Sequence, residues 1–491
     1  MGTGGSRYNP RPMSLPDASR RRFLSTLAAA PVALSAQSAP RKKTNVVFFM
    51  TDDHGAWAMG AYGCKDIHTP NLDRLAARGT LFTNAFSCTP VCSPSRATFF
   101  TGKLPSHHGV QDFLLAEDSV GPDSIRFLEG HTSFADVLKA NGYLCGLVGK
   151  WHLGHDTEAQ SGFDDWCTAP KGSGPYKDVE FFDNGVSVKN TGFKTDFVGA
   201  RAARFVDEHH DQPFCLTVPF FAPHDPFDYQ PEKYRRPYYD SELSCFPLPA
   251  PNPQRRGRHV PHWNNREANI SYSALVSAVD ANVGLVLDKL DEHGLTDDTV
   301  IIFTADHGYN CGHHGFWGKG NGTIPFNMYE ESIRVPLIWA HPNRIPAGKR
   351  VAPMVSSYDF FPTLLDYLGV EAPPEPQRVG RSYAPFLRGE NPAWRSELYF
   401  EFGYVRSIRT ENLKLVDRAE GWPNELFDLE DDPGEQTNRI GFGPYRQQAA
   451  ELRTRMNSFF EKAGAPPLDD WRSTVKQHLP MDADGYYSWK E

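Results

Sequence analysis

Asn45-Val46-Val47-Phe48-Phe49-Met50-Thr51-Asp52-Asp53-His54-Gly55 is the stretch whose reading decides the fold. Its apolar residues run on without alternation. Such a run suits a strand buried on both faces, as in a parallel sheet covered by helices. The run then stops at two adjacent carboxylates. In open α/β sheets the carboxyl ends of strands are where ligands bind. Neighbouring carboxylates repel unless a cation or a proton intervenes, so Asp52 and Asp53 read as metal ligands, with a solvated turn or helix cap as the plain alternative. The same design returns in Thr299-Val300-Ile301-Ile302-Phe303-Thr304-Ala305, which ends in Asp306-His307-Gly308. Two such ends side by side would form a carboxylate-rich cage suited to a hard divalent cation.

The intervening segments supply the rest of an α/β fold. Pro70 to Gly79 has a proline near its start, helical spacing and a glycine stop, and leads into a short strand from Thr80 to Phe86. The order strand, helix, strand, helix implies a βαβ start. Another helix is expected from Thr132 to Asn141. The strand Tyr143 to Val148 follows, ending in Gly149-Lys150-Trp151-His152-Leu153-Gly154. Residues two apart on an extended chain face the same side, so Lys150 offers a point charge for an anion beside His152, which can carry a proton near neutral pH. A strand from Phe214 to Phe221 leads to Ala222-Pro223-His224-Asp225-Pro226, where prolines constrain the direction of the imidazole. Residues 225–265, rich in Pro, Tyr and Arg, read either as a lid over the pocket or as a solvated surface loop. Leu275, Val279, Val283, Val286 and Leu290 then mark a long amphipathic helix. Beyond about residue 385, short strands with polar turns indicate a small antiparallel sheet followed by a helix over 446–463.

Composition narrows the class. With 40% hydrophobic and 23% charged residues the chain reads as soluble and globular, and 491 residues exceed one compact core. A net charge of −9 argues against a nucleic-acid partner, although a locally positive site could still take an anion. Ser19-Arg20-Arg21-Arg22-Phe23-Leu24 opens an apolar stretch and a small-residue zone, the layout of a secretory signal. The paired arginines resemble a twin-arginine export signal, which implies a periplasmic or secreted protein. The expected organisation is a signal over residues 1–40, a catalytic domain over 41–385 and a small antiparallel subdomain over 386–491. The eight cysteines show no zinc-type spacing, and folding before export predicts mostly free or buried thiols.

Cys92-Ser93-Pro94-Ser95-Arg96, continued by Ala97-Thr98-Phe99-Phe100-Thr101-Gly102, joins a potential thiol nucleophile to a rigid proline, a hydroxyl and a fixed cation. Pro94 should hold the preceding residue extended, which would put Cys92 in a turn. This C-x-P-S-R…T-G pattern resembles the signature of the type I, formylglycine-dependent sulfatases, with Phe99 where leucine is common. Gly149 to Gly154, Gly312 to Lys319, Tyr329-Glu330-Glu331-Ser332-Ile333-Arg334-Val335-Pro336 and the stretch Glu425 to Asn438 match further family motifs in order. The spacer Gly320 to Met328 looks longer than usual.

The resemblance implies an alkaline-phosphatase-like α/β domain: a large, mostly parallel sheet flanked by helices, with a smaller C-terminal antiparallel subdomain. It implies that a formylglycine-generating maturation enzyme converts Cys92 to Cα-formylglycine. A divalent cation, Ca²⁺ with Mg²⁺ or Mn²⁺ as alternatives, would be held by Asp52, Asp53, Asp306, His307 and an oxygen of modified Cys92. An imidazole is an unusual neighbour for a hard cation. Lys150, His224 and Lys319 would bind the sulfate, His224 would protonate the leaving alcohol, and Asp306 and His152 would handle the nucleophile's protons. Arg96 and Ser95 would orient the modified residue. The implied substrate is a sulfated small molecule or glycan. A phosphonate monoester hydrolase or phosphodiesterase of the same superfamily, a choline sulfatase, and an inactive glycan-binding protein are the competing readings.

Overall fold

A computed structural model of the chain describes residues 1–2, 43–121, 124–257 and 259–479. The export segment expected over residues 1–40 lies outside the described residues, apart from the first two.

The strand Asn45–Thr51 sits near the middle of a ten-stranded sheet. Its neighbours are Thr299–Ala305 on one side and Phe214–Pro219 on the other, both parallel to it. Leu144–Gly149 and then Asp165–Thr168 extend the parallel block beyond Phe214–Pro219. The reason for the unbroken apolar run is visible in the packing. Val47 and Phe49 enter one core cluster while Val46, Phe48 and Met50 enter another on the opposite face. The first face is covered by helices Pro70–Arg78, Lys194–His209 and Arg266–Glu292, and the second by Cys92–Thr101, Phe134–Ala140 and Phe360–Leu368. Each fully buried apolar side chain on this strand contributes roughly 2 kcal/mol of transfer free energy, on both faces at once.

The edges depart from the sequence expectation. The segment Thr80 to Phe86 is not one strand: Thr80–Phe82 joins the large sheet while Ala85–Phe86 joins a separate three-stranded sheet. Leu337–Ala340 and Thr299–Ala305 lie between Thr80–Phe82 and Asn45–Thr51, so the first crossover spans two intervening strands. An antiparallel hairpin, Lys177–Asp183 with Val186–Phe193, caps the other edge.

The described residues of the segment 225–265 form a strap fastened to the long helix. A short helix Glu232–Arg235 packs on the long helix, where Arg235 bonds Ser271 at 3.0 Å and Arg266 bonds the carbonyl of Ser241 at 2.7 Å. At the C-terminal end Glu397–Phe402, Val405–Thr410, Leu413–Arg418 and Glu425–Asp428 form the antiparallel four-stranded sheet, covered by the helix Arg446–Ala463. Their apolar faces share a cluster with Val91 and Cys92, which ties this sheet to the start of the helix Cys92–Thr101.

Candidate active site

Topology brings the expected residues together. Four neighbouring parallel strands deliver, at their carboxyl ends, Asp306 and His307, Asp52 and Asp53, His224, and Lys150 with His152. Asp53 turns sharply at φ 60°, and Tyr272 from the long helix donates to its carbonyl at 2.9 Å. Gly149 lets Leu144–Gly149 close on its neighbour: it has φ 136°, and a Cβ there would lie 2.0 Å from the Pro219 carbonyl oxygen. His152 follows at φ 57°.

Cys92 does not sit in a turn. It is the first residue of the helix Cys92–Thr101, capped by Val91 without a side-chain bond and closed by Gly102 at φ 71°. Ser93 is therefore helical, because Pro94 falls in the first turn, where a missing N–H costs nothing. The helix is buried along its whole length and is keyed to the strand ends by Ser95 and Arg96. Ser95 Oγ donates to the Asp306 carbonyl. Arg96 places Nε and Nη2 each 2.9 Å from Asp306 Oδ2 and donates from Nη1 to the Lys150 carbonyl at 2.7 Å. Ser95 and Arg96 thus hold Asp306 and Lys150 in place.

The ten candidate residues converge, and none is more than 7% exposed. Lys319, just past the short strand Trp317–Gly318, bonds Asp53 Oδ1 at 2.8 Å and lies 4.0 Å from Cys92 Sγ. Lys150 bonds Asp52 Oδ2. His224 Nε2 is 3.7 Å from Asp53 Oδ2, and its Nδ1 donates to the Asp225 carbonyl beside the Asp225 carboxylate at 3.3 Å. His152 Nε2 donates to the Leu114 carbonyl at 3.2 Å, which leaves its buried Nδ1 without a partner.

Burial and charge set the protonation. Burial pushes the Asp53 carboxyl up, Lys319 opposes it and Asp52 adds to it, leaving it at about 7. Burial and Asp52 raise Asp306 to about 6 against Arg96 and the two lysines. For Asp52 the same burial is outweighed by Lys150, His224, Lys319 and Arg96, which hold it well below the usual carboxylate range. Burial lifts the Cys92 thiol, but Lys150, Lys319 and a contact from His307 bring it to about 7. His224 and His152 are pushed well below the ordinary imidazole value, chiefly by burial, and so rest neutral.

The donor set fits a hard divalent cation. His307 Nδ1 donates to the Gly308 carbonyl at 2.8 Å, so in the neutral ring Nε2 carries the lone pair. That nitrogen faces Asp306 Oδ1 at 3.4 Å, Asp53 Oδ1 at 3.5 Å and Asp52 Oδ1 at 3.7 Å. Ligand atoms of Asp52, Cys92 and His307 lie within 4.8 Å of one another, as do those of Asp52, Asp53 and His224. Asp52 Oδ1 and Asp53 Oδ2 are buried with no hydrogen-bond donor. Lone pairs converging in this way need a positive charge between them.

Sequence reasoning missed the residues that hold this set from behind. Tyr176 donates to the His224 carbonyl at 2.7 Å, and Tyr272 supports Asp53. Both are tyrosines far away in sequence, and no local pattern marks them. His314, inside a matched motif, lies outside the cluster: it pairs with Glu331 at 2.6 Å and stacks on Tyr329.

Comparison with known proteins agrees with this geometry. Residues 312–462 match the family "N-sulphoglucosamine sulphohydrolase, C-terminal". The chain is 28% identical to the N-acetylglucosamine-6-O-sulfatase of Bacteroides thetaiotaomicron, over 88% of this chain and 89% of that protein. It is 30% identical to the ulvan-active sulfatase of Formosa agariphila, over 86% and 82% respectively. A protein solved in complex with its substrate D-glucosamine-2-N,6-O-disulfate superposes with a TM-score of 0.74 at 27% identity, covering 87% of this chain and all of the other. Residues 44–370, well over half of the chain, match the family "Sulfatase", and the chain belongs to that family of sulfuric ester hydrolases.

Proposed function

We propose that this sulfatase is exported, periplasmic or secreted, and removes sulfate from a carbohydrate ester, using a formylglycine made from Cys92 and a divalent cation, Ca²⁺ in preference to Mg²⁺ or Mn²⁺. The observation that carries the reading is the meeting, around Cys92, of three carboxylates, the His307 lone pair and two lysines, with Asp52 Oδ1 and Asp53 Oδ2 undonated. The relatives named for N-acetylglucosamine-6-sulfate and ulvan support a carbohydrate substrate. The twin arginines at Arg20-Arg21 support export.

Asp52, Asp53, Asp306 and His307 would hold the cation, which supplies charge to acidify a hydroxyl at position 92 and to draw electrons from the sulfate oxygens. Formylglycine supplies an oxygen nucleophile together with a second hydroxyl, which lets sulfate leave without a separate water attack.

The chain's own residues do the rest. Arg96 holds Asp306 through Oδ2 and leaves Oδ1 toward His307, so Asp306 is positioned to take the nucleophile's proton. Lys319, close to Cys92, and Lys150 supply positive charge where the transferring SO₃ group gains negative charge. His224 rests neutral, but the carboxylates near both ring nitrogens and an arriving sulfate ester favour its imidazolium, the form able to protonate a departing sugar oxygen. The unpartnered Nδ1 of His152 can accept a proton when sulfate is expelled.

The test is a substrate panel run on protein whose Cys92 peptide has been weighed. Turnover of sulfated sugars well above choline sulfate and phosphate or phosphonate esters, on protein with the lighter, formylglycine-bearing peptide, is expected. Equal rates on phosphonate monoesters, or full activity with unmodified Cys92, would refute the reading.

A further inference from the structure

Cys64 and Cys245 stand apart from the other thiols. They are half-buried, whereas the remaining six cysteines are buried. Asp66 joins the two segments, distant in sequence, that carry Cys64 and Cys245. Both lie on braced turns. Cys64 follows Gly63 at φ 106° and donates its N–H to the Met59 carbonyl at 3.1 Å. The Cys245 N–H and the Ser244 hydroxyl each donate to Asp66 Oδ2 at 2.8 Å. The carboxylate two residues after Cys64 therefore seats the turn that carries Cys245.

We propose that Cys64 and Cys245 are a disulfide-forming pair that fastens the strap 225–265 to the loop following the strand Asn45–Thr51. The reaction needs an exogenous disulfide of the glutathione class. The thiolate of one cysteine attacks a sulfur of that disulfide and expels one thiol; the thiolate of the other then displaces the second. Each protein cysteine gives up one proton and one electron, and the exogenous disulfide is reduced to two thiols.

A second pair shows why exposure matters. Cys145 and Cys215 are register partners on neighbouring parallel strands. Both are completely buried, so an exogenous disulfide cannot reach them without unfolding.

The bond would act on the wall beside the active site. Phe246, the next residue after Cys245, packs on Trp57 at 5.5 Å, Tyr272 at 6.1 Å and Trp317 at 6.2 Å between ring centres. Tyr272 in turn holds the Asp53 backbone, and Trp317 starts the short strand that precedes Lys319. Closing so long a loop restricts the unfolded chain and leaves the native contacts in place.

The full chain is incubated with oxidised glutathione, quenched with acid, alkylated and digested without reductant. The expected result is a Cys64–Cys245 linked peptide, about 2 Da lighter than its two thiol peptides combined, with Cys145 and Cys215 still unlinked. The melting temperature should rise by about 3 °C over protein kept in dithiothreitol. In Cys64→Ser the remaining Cys245, and in Cys245→Ser the remaining Cys64, should instead be trapped as a glutathione adduct, without the rise. Recovery of both wild-type cysteines alkylated, or each carrying glutathione, would overturn the pairing whether or not either variant folds. A mapped bond with no rise in melting temperature would overturn the fastening role.

Discussion

Two of the buried clusters of charge in this molecule are finished differently. At the carboxyl edge of the large sheet, Asp52, Asp53 and Asp306 crowd around the His307 lone pair, and two carboxylate oxygens have no donor. At the seam with the C-terminal sheet, Glu330 meets Arg409 at 3.1 Å and Lys414 at 3.2 Å. Glu435 pairs with Lys414 and accepts the Glu330 N–H at 2.7 Å. Burial would raise Glu330, but Lys414 and Arg409 more than offset it. Both clusters match anions with cations from within the chain. The seam comes closer to finishing itself: among the described residues Glu435 Oε1, ion-paired with Lys414, is its one carboxylate oxygen without a hydrogen-bond donor. The site keeps lone pairs pointed at a common centre, the arrangement expected of a place that binds a cation and a substrate anion. A charge at the seam should therefore matter for stability, and a charge at the site for activity.

The largest break in that comparison should come from Cys92→Ala. Turnover should fall by about 10⁴-fold or more, the scale for loss of a nucleophile, with circular dichroism unchanged. Residual activity above about a hundredth of wild type would remove Cys92 from the chemistry.

His224→Ala comes next and tests the leaving-group proton. A sulfated sugar should slow by roughly 10²- to 10⁴-fold, whereas a nitrophenyl sulfate, whose leaving group needs no proton, should lose far less. His152→Ala should slow both substrates alike. If His224→Ala also slows both equally, the acid is another residue, with Lys319 the next to test.

On the seam side, Lys414→Met leaves Glu330 and Glu435 buried against each other. A destabilisation of about 3–5 kcal/mol by urea unfolding is expected, with near-normal turnover per folded molecule. Adding Glu435→Gln should recover part of it. Unchanged stability in Lys414→Met would mean that the seam is not where these charges are matched.

The smallest effect is the sharpest contrast. In metal-free protein Asp53 and Asp306 lie at about 7 and about 6, above the ordinary carboxylate value. Between roughly pH 4 and pH 7 the folded chain then holds protons that the unfolded chain has released, so these two groups lose stability as pH rises. A bound cation replaces those protons. The gap in urea midpoint between calcium-loaded and chelated protein should therefore narrow from pH 7 to pH 5, accompanied by reversible loss of activity in chelator. A gap that widens on acidification, or full activity in excess chelator, would contradict the cage.

Much of this was legible in the chain itself because buried parallel strands write themselves plainly. Asn45–Thr51 and Thr299–Ala305 are apolar at every turn of the pleat because they are covered on both faces, and the acidic residues after them mark the open end. Lys150, His152 and His224 likewise lie just past the ends of buried parallel strands. Less legible was the conformation at Cys92. A proline rule about the preceding residue pointed to a turn, but the first turn of a helix tolerates proline, and a helix is what forms there. The segment 225–265 has the composition of a loop, and only its bonds to the long helix show it to be fastened.

The sequence by itself determined the strand ends, the nucleophile motif and the kinds of group at the site, since each of these is local and follows from burial pattern or from neighbouring residues. What only the tertiary structure decided was adjacency. The order of the strands puts Asp306 and His307 beside Asp52 and Asp53, and His224 between these and Lys150. Long-range packing also brings Tyr272 under Asp53, Tyr176 under His224 and the Cys245 turn onto Asp66. Those contacts join residues far apart along the chain. Their energies come from closing the core as a whole, so no short stretch of sequence contains them.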